Sequence, residues 1–341
     1  MLKKIGVALF GNNRLKILEF PLNELKPNEI LIEIKAAGIC GSDLHFYRST
    51  PTELGIRKGL VVGHEPSGIV KKTGSGATMF QIGDRVTVNH TLGCGKCMYC
   101  FQGETVLCAE NRGIAIAGYG GDTNLLAIPE TTCIPLIDNL SFIDGTFVAC
   151  TGATAYNAAK RVISNDENNI AIFGLGPVGL SCILILQKMG AYVVGIDPNS
   201  KRREFAASLG VTNVSDFDTI INLKKQSPNL SGFNGSIETS GSIFAQSVAI
   251  DILAPKGRAV YLGLSKGKPS ISPEQFIHKQ ITIIGSKVLP SCLALEMMEF
   301  LNNKKLSFER IVKYKFKLGD AHEAFDMFEK GTPGKFIFLP D

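Results

Sequence analysis

The sequence contains no apolar run long enough to cross a membrane and no concentrated stretch of basic residues. Its longest apolar stretch, around residues 182–186, is far shorter than the roughly 20 residues that a membrane helix needs. The net charge is only +5 and the basic residues are scattered, whereas a nucleic-acid surface needs a stripe of them. The N-terminal residues also lack the pattern of an export signal. We therefore expect a cytoplasmic protein with neither a membrane nor a nucleic-acid partner.

Length and composition indicate a folded protein of more than one domain. A chain of 341 residues exceeds the size of one comfortable core, and 45% hydrophobic with 20% charged residues is typical of a globular protein. Nine cysteines in a reducing compartment are better explained by metal binding, where they cluster, than by disulfides. Three isolated cysteines are predicted to be core residues: Cys133, Cys182 and Cys292.

The distribution of strand and helix signals changes near residue 150. Before it, residues 30–36, 68–72 and 85–88 show the β-branched, alternating pattern of strands. After it, short apolar strands alternate with helical stretches, as in the strand at 169–173 and the helix at 177–189. This alternation is typical of a doubly wound parallel sheet, so we predict an α/β fold.

A cysteine cluster within residues 93–110 has the spacing of a metal site. Three cysteines separated by two residues each, and a fourth separated from them by seven residues, allow a tight loop to surround one ion with four thiolates, as in structural zinc sites. An iron–sulfur cluster is an alternative, although such runs normally end in Cys-Pro and here Ala109 follows. Unligated or redox-active cysteines are a further alternative. The four predicted zinc ligands are Cys94, Cys97, Cys100 and Cys108.

Residues spread along the chain form a second candidate metal site. Cys40, His64 and Cys150 supply two thiolates and an imidazole, a set that leaves a fourth zinc position open for water or substrate. Glu65 is an alternative or transient fourth ligand. Taken singly, each of these residues is equally compatible with an ordinary core position.

A glycine-rich motif follows the strand predicted at 169–173 and opens a helix. Its backbone N–H groups and helix N-terminus are suited to a pyrophosphate, although a purely structural turn is the alternative. Asp197 ends the next strand, where a carboxylate binds the adenosine ribose and repels a 2′-phosphate. We therefore predict NAD as cofactor, while Arg202 leaves NADP open. The predicted loop residues are Gly174, Gly176, Pro177, Val178 and Gly179.

With these motifs, nearly the whole chain resembles the zinc-containing medium-chain dehydrogenase/reductase family. Residues 63–70, Gly-His-Glu-Pro-Ser-Gly-Ile-Val, are similar to its zinc signature, and the cysteine cluster is similar to its structural zinc loop. The resemblance implies a central Rossmann doubly wound parallel sheet and a β-rich GroES-like catalytic domain, with a cleft between them. The implied boundaries are 1–151 for the catalytic domain, 152–286 for the NAD-binding domain, and 287–341 for a return segment that completes the catalytic domain.

The resemblance also implies roles for individual residues. Cys40, His64 and Cys150 would ligate a catalytic zinc, and Asp43 would orient His64. Ser42 and His45 would relay a proton through a cofactor ribose hydroxyl. Two residues at the end of a late strand would face the nicotinamide: Gly263 and Leu264. The family's usual assembly implies a homodimer or homotetramer.

The predicted activity is the zinc-dependent, NAD-linked oxidation of an alcohol, polyol or sugar hydroxyl, with two zinc ions per subunit. The substrate oxygen, bound to zinc, would lose its proton to give an alkoxide, whose carbon then passes hydride to nicotinamide. Cys150 stands where polyol dehydrogenases commonly carry Glu, and Asn124 where many members have Glu, so the substrate stays open. The alternatives are an L-threonine 3-dehydrogenase, a zinc-free quinone reductase of the same fold, and a non-catalytic zinc- and nucleotide-binding protein.

Overall fold

The computed structural model describes residues 3–54, 59–164, 168–226, 232–265, 267–269 and 271–340. The chain divides into two compact units. The first combines Met1–Ala153 with Leu289–Asp341, and the second is Thr154–Val288.

The strands of the described residues are β1 (Lys4–Gly11), β2 (Arg14–Phe20), β3 (Glu29–Gly38), β4 (Leu60–Val61), β5 (Pro66–Thr73), β6 (Arg85–Val88), β7 (Thr91–Leu92), β8 (Arg112–Gly113), β9 (Leu125–Pro129), β10 (Cys133–Pro135), β11 (Asn169–Phe173), β12 (Tyr192–Ile196), β13 (Val214–Ser215), β14 (Phe233–Glu238), β15 (Leu253–Tyr261), β16 (Thr282–Gly285), β17 (Val312–Phe316) and β18 (Lys335–Phe338).

The helices are α1 (Gly41–Arg48), α2 (Pro51–Leu54), α3 (Met98–Phe101), α4 (Phe142–Ala149), α5 (Thr151–Val162), α6 (Pro177–Lys188), α7 (Ser200–Ser208), α8 (Phe217–Gln226), α9 (Ile243–Asp251), α10 (Pro273–Lys279), α11 (Ala294–Asn303) and α12 (Ala321–Glu329). Short 3₁₀ helices cover Thr105–Leu107, Glu130–Thr132, Ser291–Leu293, Phe308–Ile311 and Leu318–Asp320. None of the helices in the described ranges is both long and apolar enough to cross a membrane.

The first unit is built around a sheet with the strand order β10-β6-β5-β3-β18-β17. The β3 strand pairs with β5 in antiparallel register, while β9 pairs with its first half and β18 with its last two residues. Ile30, Ile32 and Ile34 alternate along β3 and are buried in the core of this unit, as the two-residue period of a strand requires. Because β18 pairs with Ala37 and Gly38 of β3, this C-terminal strand meets β3 close to the point where β3 ends.

A buried carboxylate fastens the C-terminal segment of this unit to α4. Asp144 Oδ1 accepts hydrogen bonds from the backbone N–H of Phe308 (2.8 Å) and the hydroxyl of Ser307 (3.0 Å). Phe308 and Ser307 lie more than 160 positions after Asp144 in the sequence. These hydrogen bonds therefore hold the returning chain against the N-terminal half of the unit.

The second unit contains a parallel sheet with the strand order β13-β12-β11-β14-β15-β16. Numbered within the unit, this order is 3-2-1-4-5-6, which is that of the Rossmann fold. Four of the five β11 residues are buried, as expected for a strand covered by helices on both faces. The described sheet thus bears out the strand–helix alternation predicted for this part of the chain.

The isolated cysteines have two different environments. Cys133 and Cys182 are buried in agreement with the prediction, and burial raises the pKa of both thiols. The prediction for Cys292 is wrong, because this residue is exposed. It packs against Gly103 at the surface of the cysteine-rich loop, and a local sequence pattern does not reveal such a contact.

Candidate active site and metal centres

A compact group of metal-binding side chains lies inside the first unit. Cys40 follows β3 and caps α1, His64 and Glu65 precede β5, and Cys150 follows α4. One donor atom from each of the four lies within 4.8 Å of the others. The ends of three separate elements therefore converge on a volume of the size of one coordinated ion.

Asp43 connects two members of this group. Its Oδ1 lies 3.2 Å from His64 Nδ1, and its Oδ2 accepts the backbone N–H of Cys40 at 2.8 Å. Asp43 is fully buried, so its carboxylate is not screened by water. With Nδ1 of His64 directed to Asp43, Nε2 is the nitrogen left for a metal.

The charges at this site favour a thiolate at Cys40. A hydrogen bond from Cys150, followed by the positive charge of His64, lowers the pKa of Cys40 well below its ordinary value. Burial would lower the pKa of His64, but the charges of Asp43 and Cys40 outweigh it and raise that pKa well above its ordinary value. Two sulfurs and an imidazole nitrogen are a donor set that zinc prefers. The residues present therefore fit a zinc ion, whose binding would displace protons from these groups.

Glu65, also within this group, is held by residues that the sequence analysis missed. Its Oε1 accepts the hydroxyl of Thr151 at 2.7 Å, and its Oε2 lies 2.5 Å from Lys335 Nζ. The contact with Lys335 is a buried ion pair. Lys335 Nζ also donates to Thr151 Oγ1 at 2.9 Å. The three side chains form a closed, fully buried triangle.

Two further polar residues lie near the group. The His90 ring centroid is 5.6 Å from that of His64, and His90 Nδ1 lies 3.0 Å from the carbonyl oxygen of Ala149. Asp122 is fully buried, and neither carboxylate oxygen has a hydrogen-bond partner in the described part of the chain. Burial, reinforced by the charge of Asp43, raises the pKa of Asp122 well above its ordinary value.

The four cysteines of the loop at 93–110 also come together. Their sulfurs lie within 4.8 Å of one another, with Cys97 Sγ 3.5 Å from Cys100 Sγ and Cys94 Sγ 4.0 Å from it. Four sulfurs at zinc-ligand distance are about 3.8 Å apart in a tetrahedron. A backbone hydrogen bond from Lys96 is the main cause that lowers the pKa of Cys94 to about 7. The geometry fits a closed zinc site made of four thiolates.

In the second unit, the glycine-rich loop joins β11 to α6. Gly176 caps the helix and Pro177 occupies its first turn. A Cβ on Gly179 would overlap the carbonyl oxygen of Gly174, so only glycine permits this close approach of helix and loop. The backbone N–H of Leu175 donates to Asp197 Oδ2 at 2.8 Å, so the loop is held against the end of β12.

The remaining predicted site residues occupy more exposed positions. Ser42 and His45 are exposed on α1 and three residues apart, which places them on neighbouring positions of one helix face. Arg202 Nη1 lies 3.6 Å from Asp197 Oδ2. Gly263 and Leu264 follow β15, where Leu264 is 97% exposed.

Known proteins share both units of this chain. Residues 26–138 match the alcohol dehydrogenase GroES-like domain family and residues 177–303 the zinc-binding dehydrogenase family. The chain is 31% identical over 351 residues to the zinc-type alcohol dehydrogenase-like protein YphC of Escherichia coli, with 99% of each chain covered. The chain belongs to the zinc-containing medium-chain dehydrogenase/reductase family. This confirms the family and the fold class predicted from the sequence.

Other members of this family are similar over the same length. The L-idonate 5-dehydrogenase of Vitis vinifera is 28% identical over 345 residues, covering 96% of this chain and 92% of the relative. The solved structure of the alcohol dehydrogenase TADH from Thermus sp. ATN1 superposes with a TM-score of 0.87 at 26% identity, covering 99% of this chain and 100% of that chain.

Lys335 and Thr151 are the clearest omissions from the sequence analysis. Lys335 opens an otherwise apolar strand, Lys-Phe-Ile-Phe, and a charged residue at a buried strand position is the signal that could have identified it. Thr151 directly follows Cys150, and threonine next to a predicted ligand carries no comparable signal. The structure also places His90 half-buried beside His64.

Proposed function

We propose that this chain is a zinc-dependent, NAD-linked dehydrogenase that oxidises a hydroxyl group of an alcohol, polyol or sugar to the carbonyl. The observation that supports it most is the convergence of Cys40, His64 and Cys150 on one buried volume. A closed site of four thiolates serves structure alone, whereas two thiolates and one imidazole are the protein ligands of a catalytic zinc that retains an exchangeable position. The second unit has a Rossmann fold with a glycine-rich loop, which is suited to binding a dinucleotide.

In the proposed reaction the alcohol and NAD⁺ give the carbonyl compound, NADH and one proton. When bound, zinc supplies the Lewis acidity that acidifies the substrate hydroxyl, and NAD⁺ supplies the hydride acceptor. The substrate carbon loses a hydride and its oxygen loses a proton, so the two electrons of the broken C–H bond reduce the nicotinamide.

The protein's own residues would position the donors and remove the proton. Asp43 orients His64 through Nδ1 and fixes the backbone of Cys40. The Ser42 hydroxyl accepts the substrate proton as it releases its own towards His45, and His45 delivers a proton to bulk water, which its exposure permits. A histidine is suited to this step because one nitrogen of its imidazole can accept a proton while the other donates one.

Asp197 supports the preference for NAD. Its carboxylate is buried at the end of β12, and it accepts the N–H of Leu175 in the glycine-rich loop. A carboxylate here binds the two ribose hydroxyls and repels a 2′-phosphate. Arg202 lies beside Asp197 and partly balances its charge, so the site also permits the binding of NADP. We assign Gly174, Gly176 and Gly179 to the pyrophosphate, and Gly263 and Leu264 to the nicotinamide side.

We also propose a cytoplasmic homo-oligomer, dimer or tetramer. All nine cysteines are free thiols, which a reducing compartment preserves for metal binding. The outer edge of β16 has no strand partner among the described residues, and Ile283 on it is 38% exposed. An edge strand of this kind is suited to pairing with a second copy. Sedimentation analysis of the purified protein tests the assembly.

A metal count combined with a substrate panel tests the proposed function. We expect two zinc ions per chain and reduction of NAD⁺ by at least one secondary alcohol, polyol or aldose. The polyols have priority because a relative is an L-idonate dehydrogenase. L-Threonine belongs in the panel as the alternative substrate. Two bound zinc ions with no turnover on any member would instead favour a non-catalytic zinc- and nucleotide-binding protein.

A further inference from the structure

Lys335 is the most deeply buried cation in the neighbourhood of the candidate catalytic metal site. Its relative exposure is 0%, and its ammonium lies 2.5 Å from Glu65 Oε2 and 2.9 Å from Thr151 Oγ1. A buried lysine without a partner is costly, so its position in an apolar strand requires a specific compensation. Glu65, itself fully buried, provides that compensation.

The charge of the site shows why a cation is needed there. A divalent metal held by the thiolates of Cys40 and Cys150 is formally neutral, and the carboxylates of Glu65 and Asp43 then add negative charge. Lys335 offsets the charge of Glu65, the carboxylate that it contacts.

The backbone places the ion pair with little freedom. In β18, Ile337 pairs with Gly38 at the end of β3, two residues before Cys40. A Cβ on Gly38 would overlap Glu65 Oε2 and would lie 3.1 Å from Lys335 Cε, so glycine leaves the space in which the pair forms. The sheet thus positions the Lys335 side chain directly against Glu65.

Glu65 therefore has two possible partners, which are the metal on one side and the pair of Thr151 and Lys335 on the other. Its carboxylate belongs to the cluster of donors around the candidate metal, yet both of its oxygens contact Thr151 or Lys335. We propose that Lys335, together with Thr151, is a positioning residue that keeps the Glu65 carboxylate off the metal and so holds the fourth coordination position open for substrate. This inference rests on the proposed metal at Cys40, His64 and Cys150.

Imidazole titration of the cobalt-substituted protein tests the proposal. Imidazole enters an open metal position, and the visible d–d absorption of Co²⁺ reports its entry. In Lys335→Met the Glu65 carboxylate loses its cation and becomes a competing ligand. If it occupies the position nine-tenths of the time, the apparent Kd for imidazole rises about tenfold. The double variant Lys335→Met/Glu65→Gln should return to within about twofold of the unmodified protein, since the competitor is then removed.

The matched control is Lys315→Met, which removes an exposed lysine from the neighbouring strand β17 and should leave the titration unchanged. An unchanged Kd in Lys335→Met, or a raised Kd that Glu65→Gln does not reverse, would overturn the proposal. If the unmodified protein binds only one Co²⁺ or shows no imidazole response, the proposed catalytic metal site itself fails.

A second variant covers the case in which Lys335→Met does not fold. Thr151→Val removes the hydrogen bond from the Thr151 hydroxyl to Glu65 Oε1, while the ion pair of Lys335 and Glu65 remains. It should raise the Kd by a smaller factor, about threefold, again reversed by Glu65→Gln. A Kd that is the same in Thr151→Val and in the unmodified protein contradicts the proposal.

Discussion

Asp43 Oδ1 lies 3.2 Å from His64 Nδ1, while the other oxygen of the same carboxylate accepts the N–H of Cys40. One buried side chain therefore orients two of the proposed metal ligands. Because α1 begins immediately after Cys40, the first turn of this helix carries both a ligand and the group that positions it.

Asp43→Ala should weaken metal binding at the candidate catalytic site without affecting the cysteine loop. Loss of a carboxylate that orients a ligating histidine typically lowers metal affinity about 10–100-fold. Zinc retained after dialysis against a chelator should fall from two ions per chain to one. Retention of both ions at every chelator concentration that leaves the unmodified protein intact would contradict the role of Asp43.

Ser42→Ala should slow turnover by about 10²-fold if its hydroxyl carries the substrate proton. The half-buried residue Ser49 provides a control, because its hydroxyl lies 3.5 Å from His45 Nδ1 but it stands outside the first turn of α1. We expect Ser49→Ala to retain most of the turnover. Equal kcat values in Ser42→Ala and in the unmodified protein would exclude the relay through Ser42.

Asp197→Ala should shift cofactor preference towards NADP. Removing the carboxylate removes both its hydrogen bonds to the ribose and its repulsion of a 2′-phosphate, so the ratio of kcat/KM for NADP to that for NAD should rise at least about tenfold. Arg202→Ala should change this ratio in the opposite direction, since it removes the cation 3.6 Å from Asp197. Ratios that move in the same direction in both variants would refute this assignment.

Cys100→Ser should remove the zinc of the cysteine loop and destabilise the fold. Its Sγ lies 3.5 Å from Cys97 Sγ, and a structural zinc site contributes directly to folding. We expect one zinc ion fewer per chain and a lower midpoint of thermal unfolding. Cys292→Ser is the matched control, because this exposed cysteine contacts the loop at Gly103 but lies outside the cluster.

Asp122→Asn should alter how the free energy of unfolding depends on pH. The folded protein raises the pKa of Asp122, so the folded state retains a proton that the unfolded state has lost. Stability is then fully present below the unfolded pKa and falls by about 1.4 kcal/mol per pH unit as the pH rises towards the folded pKa. Asparagine is neutral throughout, so urea unfolding should show the variant gaining stability relative to the unmodified protein as the pH rises above the ordinary pKa of an aspartate. A difference that does not vary with pH would contradict a neutral Asp122.

The strand bounds show what local pattern determines. The predicted strands at 85–88 and 169–173 coincide with β6 and β11, because alternating or continuous apolar residues between turn residues have few other ways to be buried. Strands β3 and β5 extend beyond their predicted ends, since pairing in the sheet recruits flanking residues whose own preference is weak.

The cysteine loop and the glycine-rich motif could be predicted from the sequence for a related reason. The cysteines of the loop lie within 15 residues of one another, and the glycine-rich motif occupies six consecutive residues. Short chain segments restrict the arrangements of their side chains, so the spacing alone indicates a shared ligand. The Cys40, His64 and Cys150 set was weaker evidence because its members are far apart, and it gained support mainly from the resemblance to a family.

Sequence alone therefore determined the fold class and the family, and it indicated the four thiolates of the cysteine loop, because each depends on local periodicity or a compact motif. Tertiary structure decided what Glu65 contacts. Its partner Lys335 lies 270 positions further along the chain, and only the pairing of β18 with the end of β3 brings the two charges within 2.5 Å. Contacts of this separation depend on the closure of the whole sheet, and no local pattern of residues specifies them.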